Sequence, residues 1–267
     1  MGVKKGRYDA WIFAIGNEVV QGRVVNTNAA YLGRKLTMLG YDVVSVISVP
    51  DDPELMSYFL KLAIESKPAF IITTGGLGPT YDDRTSEVLA SVLGVKWVIN
   101  EEALRMVKEK YAEGGMELTP ERVKMAKMPE GAKPIPNPVG TAPGIMYEVD
   151  GTLIVALPGV PKEMVEMFEK YVEPELRRRG PRRYLLEASF TVKGVPESSA
   201  AVAISKVMKR YVNIYIKSHP KGHEVKAPLL EMYVMVSSDD EVKGKELLNK
   251  VVKELKEELM KLGAQIS

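Results

Sequence analysis

The chain contains no cysteine. Disulfides, thiolate nucleophiles and Cys-ligated zinc are therefore excluded from its chemistry. It has only two histidines, His219 and His223, so a His-rich metal site or a serine-type triad has little to draw on. It also has only two glutamines, Gln21 and Gln265, beside abundant Lys and Glu. That bias resembles hyperthermophile composition. No apolar run approaches the roughly 20 residues of a membrane-spanning helix. Neither sign of charge dominates: the net charge is +2, so no global field draws the chain to nucleic acid or to a membrane. A cytoplasmic protein is expected.

What is present is ordinary for a globular protein: 45% hydrophobic and 27% charged residues over 267 positions, enough for one or two domains. The N-terminal MGVKKGRYDAWIFAIG carries two lysines and a short apolar stretch. Asp9 interrupts that stretch and Gly16 turns it, which predicts a first strand rather than a leader. Strands at 8–15, 43–49 and 69–73 alternate with helices at 26–39, from 53 to about 67, and up to 93. This alternation predicts a mostly parallel sheet covered on both faces, a three-layer α/β/α arrangement. The proline-rich stretch 128–143 reads as a loop. Segments 144–149 and 152–157 read as a hairpin across Asp150-Gly151, followed by a helix from 161 to 178. The basic run RRRGPRR (177–183) reads as a linker. It separates an α/β domain at 1–178 from a smaller α+β domain at 184–267. The second domain is ordered strand, helix, strand, strand, helix, with His219 and His223 as surface residues of a loop. The basic run has no aromatic interleaving apart from Tyr184, so nucleic acid is not a predicted partner.

The most informative segment is TTGGLGPTYDDRT at 73–85. A glycine turn between a strand and a helix start offers backbone N–H groups to a phosphate. Asp82 and Asp83 follow it, and carboxylates beside a phosphate suit a divalent cation such as Mg, Mn or Co. The turn glycines could also serve only a tight connection, and either aspartate could cap the helix. Three further polar segments follow apolar stretches: 16–28, 50–52 and 158–163. If the strands are parallel, all four converge on one sheet edge, where open α/β sheets bind ligands. Asp51 would then meet Asp83, although alone it reads as the cap of the helix opening at Pro53. Glu18, Asn26, Asn28 and Gly159 are candidate ligand contacts from these segments, with capping as the alternative for the asparagines. Thr141, in NPVGTAPG, is a candidate at a second phosphate.

These motifs resemble the N-terminal region of the CinA (competence/damage-inducible) family. The matching stretches are GNEVVQGRVVNTNAAYLGRKL, VPDD, TTGGLGPTYDDRT, NPVGTAPG and LPGVPKEM, in the family's order across about residues 8–170. The resemblance implies the molybdopterin-binding fold shared with MogA, MoaB and MoeA. In that wider group the glycine turn and a following Asp-x-Thr bind and activate the pterin phosphate. Gly75, Gly76 and Gly78 match the turn, Leu77 replaces its usual Thr, and Asp83 and Thr85 match the Asp-x-Thr. Asp51 matches the other functional aspartate. Leu is usual in the CinA-like branch. That branch implies metal-dependent hydrolysis of ADP-ribose to AMP and ribose 5-phosphate, with Asp51 and Asp83 as catalytic and metal-holding residues. Pterin binding with adenylyl transfer is the alternative, and a non-catalytic nucleotide-binding protein a third. The resemblance also implies a homo-oligomer and a KH-like second domain. That domain lacks a Gly-x-x-Gly clamp, so RNA binding is not implied, and the nicotinamide-mononucleotide deamidase activity that often accompanies bacterial members is not expected.

Overall fold

A computed structural model describes residues 8–181, 183–223 and 227–267. The expectations for the N-terminal MGVKKGR and for Arg182 of the basic run lie outside them. The chain divides into two compact units. One holds the chain up to Thr37 together with Tyr41–Pro181; the other holds Arg182–Ser267 together with Met38–Gly40.

The first unit is built on strands β1 (Asp9–Ile15), β2 (Asp42–Val49), β3 (Phe70–Thr74), β4 (Trp97–Ile99), β5 (Lys127–Pro129), β6 (Lys133–Ile135), β7 (Gly144–Val149) and β8 (Thr152–Leu157). Its helices are α1 (Asn17–Val20), α2 (Thr27–Met38), α3 (Pro53–Glu65), α4 (Thr85–Leu93), α5 (Glu101–Glu113), α6 (Pro120–Lys124), α7 (Pro161–Met167) and α8 (Glu173–Arg179). Six strands form one sheet in the order β2-β1-β3-β8-β7-β6. β1 runs parallel to β2 and β3, and β3 parallel to β8. The sheet is mixed, because β7 turns back on β8 and β6 on β7, both antiparallel. β3 and β8 are buried along their whole length, as expected of central strands covered on both faces. Edge strand β2 instead alternates exposed and half-buried residues until Val49.

Local chemistry sets the element ends. Asp52 accepts hydrogen bonds from the Glu54 and Leu55 amides and caps α3, with Pro53 in its first turn. Asn100 caps α5 through the Ala103 amide. Gly94, at φ 68°, ends α4 in the left-handed conformation.

Two expectations for the first unit need correction. The stretch 128–143 is not all loop: β5 pairs with β4, and β6 forms the sheet's far edge. Pro134 is tolerated in β6 because an edge strand has one side without ladder partners. The helix expected over 161–178 is interrupted by a π-helical turn at Phe168–Val172 just ahead of Pro174. Proline lacks an N–H and crowds the preceding turn, which breaks the regular bonding pattern there.

The second unit is a four-stranded antiparallel sheet in the order β10-β11-β9-β12. Its strands are β9 (Tyr184–Lys193), β10 (Ile214–Pro220), β11 (Leu229–Ser238) and β12 (Gln265–Ile266), and its helices are α9 (Glu197–Met208) and α10 (Glu241–Met260). The helices and sheet share a core that includes Val192, Val207, Met232, Val234, Val251 and Leu255. His219 lies in β10 opposite Glu231, not in a loop, and β12 is a strand that the sequence pattern did not show. Arg177, Arg178 and Arg179 form ion pairs with Glu173, Glu175 and Glu148. No helix among the described residues is long and apolar enough to cross a membrane.

Candidate functional site

Because β1, β2, β3 and β8 are parallel, their carboxyl ends lie on one edge. The segments leaving them are 16–18, 50–52, 75–83 and 158–163. β7 runs the other way, so the loop that leads into it, carrying Asn137 and Thr141, reaches the same edge. Together these segments line a cleft of about 510 Å³. Glu18, Asp51, Gly75, Gly76, Gly78, Asp83, Thr141 and Gly159 all line it.

The glycine turn at its centre is held from below. The Gly75 amide donates to the Leu157 carbonyl at 3.0 Å, extending the β3–β8 ladder by one bond. Gly75 and Gly76 sit at φ 103° and 67°, where side chains are strained. A Cβ on Gly75 would overlap the Ile15 carbonyl, and one on Gly76 the Thr85 hydroxyl. Among the described residues, no backbone hydrogen bond takes the amides of Gly76, Leu77 or Gly78. Leu77 is buried in the hydrophobic core, so the turn presents no hydroxyl at that position.

Thr85 is fully buried and does not line the cleft. Its hydroxyl donates to the Gly75 carbonyl at 2.9 Å and its amide to the Gly76 carbonyl at 3.0 Å. It fixes the turn from beneath. Asn26 and Asn28 also lie outside the main cleft, around a smaller cavity of about 80 Å³ shared with Glu18 and Gly159. Asn26 caps α2 through the Ala29 amide and reaches Ser48. Asn28 donates to the Gly159 carbonyl at 2.8 Å, tying α2 to the turn after β8, while its buried Oδ1 has no partner.

Asp51, Asp82 and Asp83 are neither helix caps nor a single ready-made cage. Asp52 takes the capping role at α3, which leaves Asp51 facing the cleft. Asp51 accepts the Asn17 amide at 2.8 Å. Burial pushes its carboxyl above the ordinary aspartate range, Asn17 opposes that shift, and the negative charges of Glu18, Asp82 and Asp83 reinforce it. Arg84 precedes α4 at its cap position and provides no side-chain cap. Instead Asp83 turns back and accepts the Thr80 amide at 2.9 Å and the Thr80 hydroxyl at 2.6 Å. Asp82 also accepts from the Thr80 hydroxyl, which holds its carboxyl below the usual range. Lys124, from α6, donates to the Thr80 and Asp83 carbonyls and clamps this loop. Burial pushes its ammonium below the usual lysine range.

Sequence reasoning missed two residues. Glu163, in the first turn of α7, lines the cleft. Its signal was present in the segment PGVPKE, but a lone Glu in a helix's first turn carries no mark of function. Buried Asn137 donates to Glu163 Oε2 at 2.7 Å. The cleft thus holds five carboxyl groups, those of Glu18, Asp51, Asp82, Asp83 and Glu163. No Lys, Arg or His lines it among the described residues.

Comparison with known proteins places this geometry. A family model for "Probable molybdopterin binding domain" matches residues 11–178. A protein of Pyrobaculum aerophilum is 51% identical over 241 residues, covering 90% of this chain and 90% of its own length. A protein of Sulfurisphaera tokodaii is 45% identical over 257 residues, covering 96% of this chain and 97% of its own length. Among solved structures, the protein CinA of Thermoplasma acidophilum, of unknown function, is 44% identical with a TM-score of 0.60. The match covers 63% of this chain and 98% of that one.

Proposed function

The chain belongs to the molybdopterin-binding domain family, and from that premise we propose that its cleft hydrolyses the diphosphate of ADP-ribose or a related dinucleotide with a divalent cation. The carrying observation is the combination of turn amides that take part in no backbone hydrogen bond with a cleft whose ionisable lining residues are all acidic. The amides of Gly76, Leu77 and Gly78 suit phosphate oxygens. The carboxylates around them would repel those oxygens unless a cation lay between.

The donor set fits such a cation. Asp51 and Asp83 offer hard carboxylate oxygens, and magnesium is usually held by one or two carboxylates plus substrate phosphates. Among the described residues no group of three acidic or His side chains forms a closed cage. The phosphates would therefore complete the shell. When bound, the cation would neutralise phosphate charge and lower the pKa of an attacking water. Asp51 and Asp83 would hold it, the glycine turn would orient the diphosphate, and Gly159, packed against Gly75, and Thr141 would border the substrate. Leu77 favours the dinucleotide reading, since a buried apolar side chain replaces the hydroxyl of pterin-activating turns.

The second reading is binding of a pterin phosphate, which the family's description favours, followed by its adenylylation. It uses the same turn and acids. Purified protein given ADP-ribose with Mg²⁺, Mn²⁺ or Co²⁺ distinguishes the two. Metal-dependent release of AMP, lost in Asp83→Ala, is the expected result. No release, with bound pterin retained on purification, would support the second reading. Tight nucleotide binding in calorimetry without turnover would identify a non-catalytic binder instead.

A further inference from the structure

The proposed hydrolysis needs a group to take a proton from water. The cleft is lined by no histidine or lysine among the described residues, so a side-chain base there is one of its five carboxyl groups. Three of these are engaged by the acid loops themselves, and among the described residues no hydrogen bond fixes the carboxylate of the fourth, Glu18. Asp51 Oδ2 takes the Asn17 amide, Asp83 Oδ2 takes the Thr80 amide, and Asp82 and Asp83 share the single proton of the Thr80 hydroxyl. Asp51 and Asp83 are also the pair suited to the cation.

Glu163 is fixed differently. It projects from the start of α7, after β8, on the side of the glycine turn away from Asp51's strand β2. Asn137 is 6% exposed and fully bonded. Its Nδ2 donates to Glu163 Oε2 at 2.7 Å and to the Ala142 carbonyl at 2.9 Å. Its Oδ1 accepts the amides of Val139 and Gly140 at 3.1 and 2.7 Å. At Gly140 a Cβ would meet the Glu163 carboxylate where it now lies, so the bare position lets the loop pack directly against that carboxylate. A buried amide and a glycine thus fix one cleft carboxylate in place, and Asn137 occupies only one of its two oxygens. Preorganisation of this kind serves a group that must meet a reacting atom.

We propose that Glu163 is the general base of the hydrolysis, positioned by Asn137; the proposal rests on the diphosphate-hydrolase reading. The Glu163 carboxylate accepts a proton from water as the water oxygen bonds to one phosphorus of the diphosphate. The bond from that phosphorus to the bridging oxygen breaks, and its electron pair leaves with the departing phosphate. The proton on Glu163 then passes to solvent. One water is consumed and two phosphate monoesters are released, with no redox change.

Glu163→Gln tests this, because a glutamine carbonyl can still accept from Asn137 while losing the basic oxygen. Expected is a fall in kcat of about 10²–10⁴-fold. ADP-ribose affinity measured by calorimetry with Mg²⁺, and Tm, should stay close to those of the unaltered protein. Asn137→Ala should lower kcat with a smaller loss, since the base remains but wanders. A Glu163→Gln kcat within threefold of the unaltered protein overturns the base role while leaving the hydrolase reading intact. So does a raised KM at unchanged kcat, which would mark Glu163 as a binding contact only. An unaltered protein that releases no AMP overturns both together.

Discussion

At the scale of single residues, the pair Asp51–Asp52 shows how one peptide step divides two roles. The side chain of Asp52 closes the first turn of α3, whereas that of Asp51 faces the cleft and the charges of Glu18, Asp82 and Asp83. Because burial and those charges raise Asp51's carboxyl in the folded state, ionising it costs more there than in the unfolded chain. That burden is absent below the ordinary carboxylate range, grows as pH rises through the raised folded value, and stays at neutral pH. Without metal, Asp51→Asn should therefore raise Tm at pH 7 by about 1–2 °C, with no gain near pH 3. Asp52→Ala should do the opposite at both pH values, costing about 1 kcal/mol as a lost cap, with nucleotide binding unchanged. Thermal melts of the two variants with and without Mg²⁺ check this; equal effects at the two positions would contradict it.

At the scale of elements, the glycine turn between β3 and α4 depends on one hydroxyl beneath it. Thr85 bonds the Gly75 carbonyl in a fully buried setting, so its removal leaves that acceptor unsatisfied. Thr85→Val, close in shape, should lower stability by about 1–3 kcal/mol in denaturant unfolding and weaken nucleotide binding as well. Thr85→Ser should retain most of both, since it keeps the hydroxyl. A Thr85→Val protein as stable as the parent would show that the bond does not hold the turn. The Asp-x-Thr pattern thus has two physical halves: the aspartate faces the cleft, and the threonine locks the backbone that the phosphate would meet. Its spacing was legible in the sequence, but the direction of each side chain was not, since a helix start turns neighbouring residues to different sides.

At the scale of the whole molecule, the cleft exists because four strands run the same way. Their carboxyl ends would contribute nothing in common if the strands were antiparallel, since alternate ends would lie on opposite edges. Nucleotide with Mg²⁺ should therefore slow hydrogen exchange at the ends of β1, β2, β3 and β8, above all in 75–83 and 158–163. The sheet of β9, β10 and β11 should exchange at its unliganded rate. Protection confined to that second sheet would place the ligand elsewhere.

Much of this was written in the sequence. Apolar runs such as FIITT and TLIVAL read as buried strands, because they are bounded by turn residues, rich in β-branched side chains and too short for a stable helix. Glycine at 75 and 76 marked a backbone that side chains could not follow. The alternation of strand and helix predicted the parallel sheet, and with it a ligand edge. Other features depended on contacts far apart in the chain. β6 needed an open sheet edge to accommodate its proline, and Asn26 and Asn28 were drawn into capping and into the turn after β8. Asn137 and Glu163 are 26 positions apart, and only folding brings the amide to the carboxylate. Local propensity and periodicity act over a few residues and are carried by the sequence itself. Which carboxylates share a cleft, and which cap a helix instead, is decided by strand order and side-chain direction, and these exist only once the chain has folded.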